Sequence, residues 1–290
     1  AEPRERSASR APDAPMLWSV PETLQVDLPD EGWPSTLWKV YAHEHVDNEL
    51  PAHEPGAGEP LVMPTSEYLG VLINLLQSEA DWEMVSYIIA HLPAQLSNKP
   101  CFCGPHTREQ ISALSDLLCT LLLQQKQFSN LILPEDVKRT DMYAVVYATM
   151  MVLVSYRRLL SRTQHDELLE AFIAGLTKSQ NTAQPCVRAL VVASYELQKS
   201  FTRLVAGVLV KLSTIMSSMT VSVHILELLV EISGSPALYA NFTESDYKRV
   251  FGIALQYIQY HQSSAASSRE DIRSSPAKFS LSQYVMMLAY

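Results

Sequence analysis

Beyond residue 64, apolar residues recur at intervals of three and four, and this spacing constrains the fold more than any other feature of the sequence. Tyr68, Leu72 and Leu75 form one such stripe, and stripes of this kind predict amphipathic helices. The pattern breaks for a few residues and restarts, giving about ten helical segments by residue 290. Helices joined by such short breaks must fold back on each other as antiparallel hairpins.

The pairing of helices in series predicts the fold class, an all-α protein built as an α-solenoid of stacked antiparallel helix pairs. The spacing from pair to pair is close to the ~40–47 residues of HEAT and armadillo repeats. The sequence shows no self-similarity at a fixed period, so the prediction depends on the number of helices and on their serial pairing. Each hairpin would bury one face on its neighbour.

Capping residues and prolines predict where individual helices begin and end. Starts are predicted at Asp81, at Thr107 with Gln110, at Thr163 with Asp166, at Ser200, and at Thr243 with Asp246. Pro185 is predicted to be the first residue of a helix, where its missing N–H costs nothing. Pro93 should end the second helix, because the residue before a proline resists the helical conformation. The last long apolar stripe comprises Tyr247, Val250, Phe251, Ala254, Leu255 and Ile258.

The chain divides into four segments by composition. Residues 1–64 hold ten prolines and three of the four tryptophans, and we interpret them as an irregular Pro-rich leader and linker. Residues 65–260 carry the helical solenoid. The Ser-rich residues 261–277 have little apolar content and are predicted to be a disordered insertion. Residues 278–290 are expected to begin a further helix that is cut short.

The charge balance argues against nucleic acid or an anionic membrane as the main ligand. The formal net charge is −9 and only 18% of residues are charged, whereas binding to phosphates needs a basic stripe. The nearest clusters are Arg4, Arg6 and Arg10, interpreted as part of a solvated tail, and Arg157, Arg158 and Arg162, interpreted as a solvated helix end.

The cysteines and the apolar runs indicate a cytosolic protein. Four cysteines do not form a disulfide framework in a chain of this length. Residues 1–15 are charged and rich in proline, unlike a signal peptide. The longest uncharged apolar run, residues 142–156, is too short to span a bilayer.

Two groups of residues have the chemistry of weak metal ligands. Cys101, Cys103 and His106, with Cys119 downstream, could form a zinc site, but C-x-C is too tight for the usual zinc knuckle and Cys119 lies among leucines. His43, His45 and His53 lie in an acidic, Pro-rich stretch that we interpret as a solvated loop. His224 is interpreted as a polar residue near a helix boundary. We therefore predict no metal site and no cofactor.

No catalytic site is predicted either. The sequence has no nucleophile elbow, phosphate loop, dinucleotide fingerprint or HExxH motif, and it has only nine glycines. The acidic pairs Asp81 with Glu83 and Glu167 with Glu170 are explained by the positive end of the helix dipole.

Other residues receive weaker interpretations. Core packing is favoured over an adaptable contact surface for Met216, Met219, Met286 and Met287. Ser9 and Ser275 lie in patterns that resemble kinase acceptor sites, which are too short to be specific.

Five blocks of the sequence resemble the tuberin family, in matching order. They are residues 75–93 (LLQSEADWEMVSYIIAHLP), 139–156 (RTDMYAVVYATMMVLVSY), 219–242 (MTVSVHILELLVEISGSPALYANF), 247–255 (YKRVFGIAL) and 278–289 (KFSLSQYVMMLA). The resemblance covers about residues 61–290.

The resemblance implies a HEAT-type region located N-terminal to a Rap-GAP-like domain. The family pairs with hamartin and activates GTP hydrolysis by the small GTPase Rheb, thereby restraining TOR complex 1. The implied catalytic asparagine belongs to the Rap-GAP-like domain, to which nothing in these residues corresponds. The segment would thus be a non-catalytic scaffold that contacts hamartin or joins two copies. It would be cytoplasmic, with recruitment to the lysosomal or vacuolar surface in a complex. The alternative is a helical-repeat adaptor unrelated to this family.

Overall fold

The computed structural model describes residues 64–79, 81–124, 131–135, 137–215, 219–267 and 276–290, where all regular structure is helical. The predicted all-α class is confirmed. Apart from Pro64, the proposed leader lies outside the described residues. None of the helices in the described ranges is long and apolar enough to cross a membrane.

Ten long helices carry the fold in the described part of the chain, together with two single-turn helices and one 3₁₀ turn. They are α1 (Thr65–Ser78), α2 (Trp82–Ser97), the short α3 (Lys99–Phe102), the 3₁₀ turn Pro105–Thr107, α4 (Arg108–Gln124), α5 (Arg139–Val154), α6 (Arg162–Leu176), α7 (Gln180–Glu196), α8 (Gln198–Leu212), α9 (Met219–Gly234), the short α10 (Pro236–Tyr239), α11 (Glu244–Ser267) and α12 (Pro276–Ala289).

The long helices form two parallel rows, which is the arrangement of an α-solenoid. In the first row α1, α4, α6, α8 and α11 pack successively side by side, and in the second row α2, α5, α7, α9 and α12 do the same. Each first-row helix is followed along the chain by its second-row partner. The principal contacts of every helix are with its own pair or the adjacent pair. The predicted stack of helix pairs is therefore confirmed.

Helix α5 lies at the centre of this packing. It contacts α2 on one side and α7 on the other, and also α4 and α6. Ten of its residues are buried, and three of them, Tyr147, Met150 and Leu153, are fully buried. A helix covered on most sides has to be apolar nearly all round, which explains why this stretch lacks a polar stripe.

A glycine permits close packing between α6 and its neighbours α5 and α7. Gly175 is buried near the end of α6, where a Cβ would lie 2.5 Å from the ring carbon Cζ of Tyr147 and would also collide with the sulfur of Cys186. Helix α6 therefore presses its backbone against a side chain of α5 and one of α7. Only a residue without a side chain fits at this junction.

Neighbouring pairs are also joined by hydrogen bonds onto the last turns of helices. The hydroxyl of Tyr156 donates to the carbonyl of Leu96 at 2.6 Å, and Lys99 Nζ donates to the carbonyl of Ser155 at 2.7 Å. Lys178 Nζ donates to the carbonyl of Leu122 at 2.9 Å. These carbonyl groups have no partner within their own helix. The bonds satisfy them and fix how far one pair can slide along the next.

Two of the predicted helix starts are confirmed and others are wrong. Asp81 caps α2 by accepting from the backbone N–H of Glu83, and Thr243 and Asp246 bond each other reciprocally before α11. Helix α6 is instead capped by Ser161 with Gln164, two residues before the predicted pair. Ser200 is buried inside α8 and does not cap it.

Thr107 does not form the predicted capping box with Gln110. Its hydroxyl donates backwards to the carbonyl groups of Phe102 and Gly104, at 2.6 and 2.9 Å. The hydroxyl is therefore used to close the turn between α3 and α4 rather than to receive the first N–H groups of α4.

Both proline predictions are wrong, because tertiary burial outweighs the local preference. Pro93 lies inside α2, which continues to Ser97 and places Leu92 and Leu96 in the core. Pro185 lies inside α7, which begins earlier because Ser179 and Thr182 cap each other. An interior proline loses one backbone hydrogen bond, whereas each of these helices gains a buried turn.

Two helices extend into residues 261–277, the segment that was predicted to be a disordered insertion. Helix α11 continues to Ser267, well into residues 261–277, and α12 begins at Pro276. Residues 268–275 lie outside the described residues.

Replacement of Gly175 by alanine should destabilise the protein by about 1–3 kcal/mol, because the added methyl group overpacks the α5–α6–α7 junction. The matched control is Gly207→Ala in α8, where a Cβ meets nothing within 4 Å. That change should stabilise by about 0.5–1 kcal/mol through helix propensity. Denaturant unfolding of both variants tests the pair, and equal effects would contradict the close approach.

Tyr156→Phe should destabilise by about 1–3 kcal/mol, since it leaves the buried carbonyl of Leu96 without its donor. Tyr195→Phe removes a hydroxyl from a side chain that is 60% exposed and should change stability by less than about 0.5 kcal/mol. Thermal unfolding of the two variants side by side measures the difference. An unchanged midpoint for Tyr156→Phe would show that the bond between the first two pairs adds nothing.

Candidate interaction surfaces

The proposed zinc ligands do not converge in the structure. Cys101 and Cys103 are exposed thiols at α3, whereas Cys119 is buried in the second half of α4. Burial, with the charges of Glu167 and Asp116, raises the pKa of Cys119 to about 12, so it is a poor thiolate ligand. No group of three or more His, Cys, Asp or Glu side chains within the described ranges could hold a metal ion.

Several other residues singled out in the sequence cannot be placed. His43, His45, His53, Ser9, Ser275, Arg4, Arg6, Arg10 and the side chains of Met216 and Met219 lie outside the described residues. Met286 is half-buried, but Met287 is 64% exposed. The core interpretation is therefore wrong for Met287, which faces solvent on α12.

His224 is part of a polar network instead of lying at a helix boundary, and the network is buried at His224 and Arg188 and reaches the surface at Tyr284. Its Nε2 accepts a hydrogen bond from Arg188 Nε at 3.3 Å, and its Nδ1 lies 3.1 Å from Glu227 Oε2. The other carboxylate oxygen of Glu227 accepts from the hydroxyl of Tyr284 at 3.3 Å. The network connects α7, α9 and α12, three successive helices of the second row. Its groups are engaged with each other, so their arrangement indicates a structural role.

An acidic groove lies between α4 and α6. Its lining includes Asp116, Glu167 and Glu170, and Gln164 crosses its floor by donating to Asp116 Oδ1 at 2.6 Å. Glu167 lies in the second turn of α6, beyond the reach of the helix dipole, so the dipole explanation is wrong for this pair. Burial and repulsion from Asp116 and Glu170 raise the pKa of Glu167.

The most exposed apolar area is on the last helix pair. Seven of the sixteen large apolar side chains that are exposed in the described part of the chain belong to α11 or α12. We define the terminal apolar surface as Tyr247, Phe251 and Leu255 on α11 with Leu281, Tyr284 and Met287 on α12.

This surface arises because α11 has two apolar faces. Ile253 and Tyr257 point inward and are buried, while Phe251 and Leu255, four residues apart on another face, are 64% and 55% exposed. The sequence stripe predicted the second set to be the inward face, which is wrong. Two overlapping apolar stripes in the sequence of α11 were the signal that could have revealed it.

Comparison with known proteins places the chain in a family. A family model described as Tuberin matches residues 38–265. The Tuberous sclerosis 2 protein homolog of Schizosaccharomyces pombe is 33% identical over 239 residues, which make up 82% of this chain and 18% of that protein. Uncharacterized protein C18B11.11 of the same yeast is 23% identical over 138 residues, which are 47% of this chain and 10% of that protein.

The chain spans less than a fifth of the length of either relative. The family match covers most of the described solenoid and begins within the Pro-rich residues that precede it. An adaptor unrelated to the tuberin family, the alternative raised by the sequence, is thereby excluded. With its serial helix pairs and the match across residues 38–265, this chain belongs to the tuberin family.

Proposed function

We propose that this chain is a non-catalytic scaffold segment of a tuberin-like GTPase-activating protein that acts with hamartin to restrain Rheb and TOR complex 1. The observation that carries the proposal is a stack of helix pairs with the terminal apolar surface exposed on α11 and α12, in a chain of the tuberin family. A rigid stack of this kind sets distances between partners rather than performing chemistry.

The terminal apolar surface suits a helical partner. Tyr247, Phe251 and Leu255 follow one another at intervals of four residues along α11, so they form a continuous ridge. Aromatic side chains grouped at the centre of a patch are the usual energetic anchors of an interface. Hamartin is the partner we propose for this ridge, and a second copy of the tuberin-like chain is the other candidate.

Activity toward Rheb would belong to a Rap-GAP-like domain outside these residues. The scaffold would act in the cytoplasm and reach the lysosomal or vacuolar surface only as part of the complex. The proposal that catalysis lies elsewhere is supported by the described residues to the extent that they contain no group of three or more side chains that could hold a metal ion.

Replacing Phe251 and Leu255 together by aspartate should abolish or strongly weaken association, because each carboxylate would have to be desolvated against an apolar partner. Light scattering across a dilution series measures the mass of the chain alone and mixed with hamartin. Loss of only the hamartin complex supports hamartin as the partner, while loss of a homodimer supports self-association.

The matched control is Gln256→Asp, on the exposed polar face of the same helix. It should leave the measured mass unchanged. A wild-type chain that remains monomeric and indifferent to hamartin would contradict the partner role of this surface and would make the segment a spacer.

The non-catalytic role has its own test. The chain alone should not accelerate GTP hydrolysis by purified Rheb, measured by phosphate release. Acceleration above the intrinsic rate would contradict the proposal directly.

A further inference from the structure

One edge of the solenoid is basic although the chain as a whole is acidic. The basic part of this edge comprises residues 97–109, 154–166 and 196–203, which contain the connections from α2 to α4, from α5 to α6 and from α7 to α8. The fourth connection on the same edge, from α9 to α11, leads into the acidic residues Glu244 and Asp246 and is not part of it. Each connection joins the second helix of one pair to the first helix of the next. Since the pairs stack in register, the three connections lie side by side.

The charge on this edge opposes the net charge of −9. The three connections hold seven cations against three carboxylates, and all of these residues are described. We define the basic edge as the cations Lys99, Arg108, Arg157, Arg158, Arg162, Lys199 and Arg203.

The basic edge already binds carboxylates within the chain. Arg157 pairs with Glu196 at 2.7 Å, and Arg203 pairs with Asp166. Each of these pairs connects two helix pairs of the stack. In the part of the chain that the structure describes, the exposed guanidinium groups of Arg158 and Arg162 form no ion pair.

The cations are close enough to act on one another. Burial lowers the pKa of Lys99, Glu196 opposes that shift, and the charges of Arg157 and Arg158 lower it further. At the next junction the pKa of Asp166 is raised by burial, but the hydrogen bond and charge of Arg203 and the charge of Arg162 reduce it below its usual range. The two arginines without an ion pair, Arg158 and Arg162, lie in the chain between Arg157 and Asp166, each of which already forms an ion pair with a neighbouring helix.

Helix dipoles favour Arg157 and Arg158, which follow the end of α5, but they do not explain the cations at the starts of first-row helices. A positive charge stabilises the C-terminal end of a helix and destabilises the N-terminal end. Arg108 and Arg162 are the first residues of α4 and α6, and Lys199 is the second residue of α8. Three successive first-row helices thus begin with a cation at the unfavourable end.

We propose that the basic edge binds an acidic polypeptide segment, whose carboxylates pair with Arg158 and Arg162. Guanidinium groups bind carboxylates in a bidentate geometry that fixes direction as well as charge. The cations follow a row along the stack, which fits an extended chain better than a flat bilayer. A short segment feels mainly charges within about 8 Å, whereas an anionic bilayer would also meet the rest of this acidic chain. The interaction is independent of the scaffold role proposed above.

The test measures fluorescence anisotropy of a labelled octaglutamate peptide titrated with the full chain at low salt. Arg158→Glu with Arg162→Glu should weaken binding by at least about tenfold, as expected for the loss of two charge-assisted pairs. Wild-type affinity should also fall as sodium chloride is added. Thermal unfolding checks that the variant is folded, and Arg158→Gln with Arg162→Gln replaces it if charge reversal prevents folding.

The control is Lys138→Glu with Lys211→Glu, which makes the same change in net charge near the connections on the opposite edge. The proposal holds if the control binds the peptide like the wild type. Equal weakening by both variants would overturn it, since net charge alone would then account for binding. No binding by the wild type would also overturn it, as would binding to phosphatidylserine vesicles but not to the peptide.

Discussion

Each helix pair in this protein has an apolar face that only the next pair can cover, and the other features of the fold depend on that requirement. The buried core runs without interruption from Leu69 in α1 to Val285 in α12, so no pair has a complete core of its own. Helix α5, enclosed by α2 and α7, shows what this demands of the sequence, because it has almost no polar side. On α11 and α12 the side chains of the terminal apolar surface are exposed.

Apolar burial sets which faces meet, but polar contacts fix how the pairs align. Tyr156 and Lys178 donate to carbonyl groups in the last turns of neighbouring helices, where the backbone has no partner of its own. Arg157 does the same to the carbonyl of Glu196 while pairing with its carboxylate. Such bonds depend on direction, so they oppose sliding, which apolar contacts alone would tolerate.

The two proposed binding surfaces follow from these two kinds of contact. The terminal apolar surface consists of exposed apolar side chains on α11 and α12, and it would bind a partner in the way that one pair binds the next. The basic edge extends the pairing of Arg157 with Glu196 and Arg203 with Asp166 to carboxylates from another chain. One surface is apolar and insensitive to salt, and the other is charged and screened by it. The stack could therefore hold two different partners at once.

The sequence alone determined that the chain is helical and that its helices pair in series, because a period of 3.6 and its short interruptions are properties of local chain geometry. The sequence alone also showed that no metal-binding or catalytic motif stands out. It also determined caps such as Asp81, whose hydrogen bond is local. Only the tertiary structure decided that α2 and α7 continue through Pro93 and Pro185, because burial of later turns outweighs one lost hydrogen bond. It alone decided that Phe251 faces solvent while Tyr257 is buried, since two apolar faces of one helix differ only in which has a neighbour.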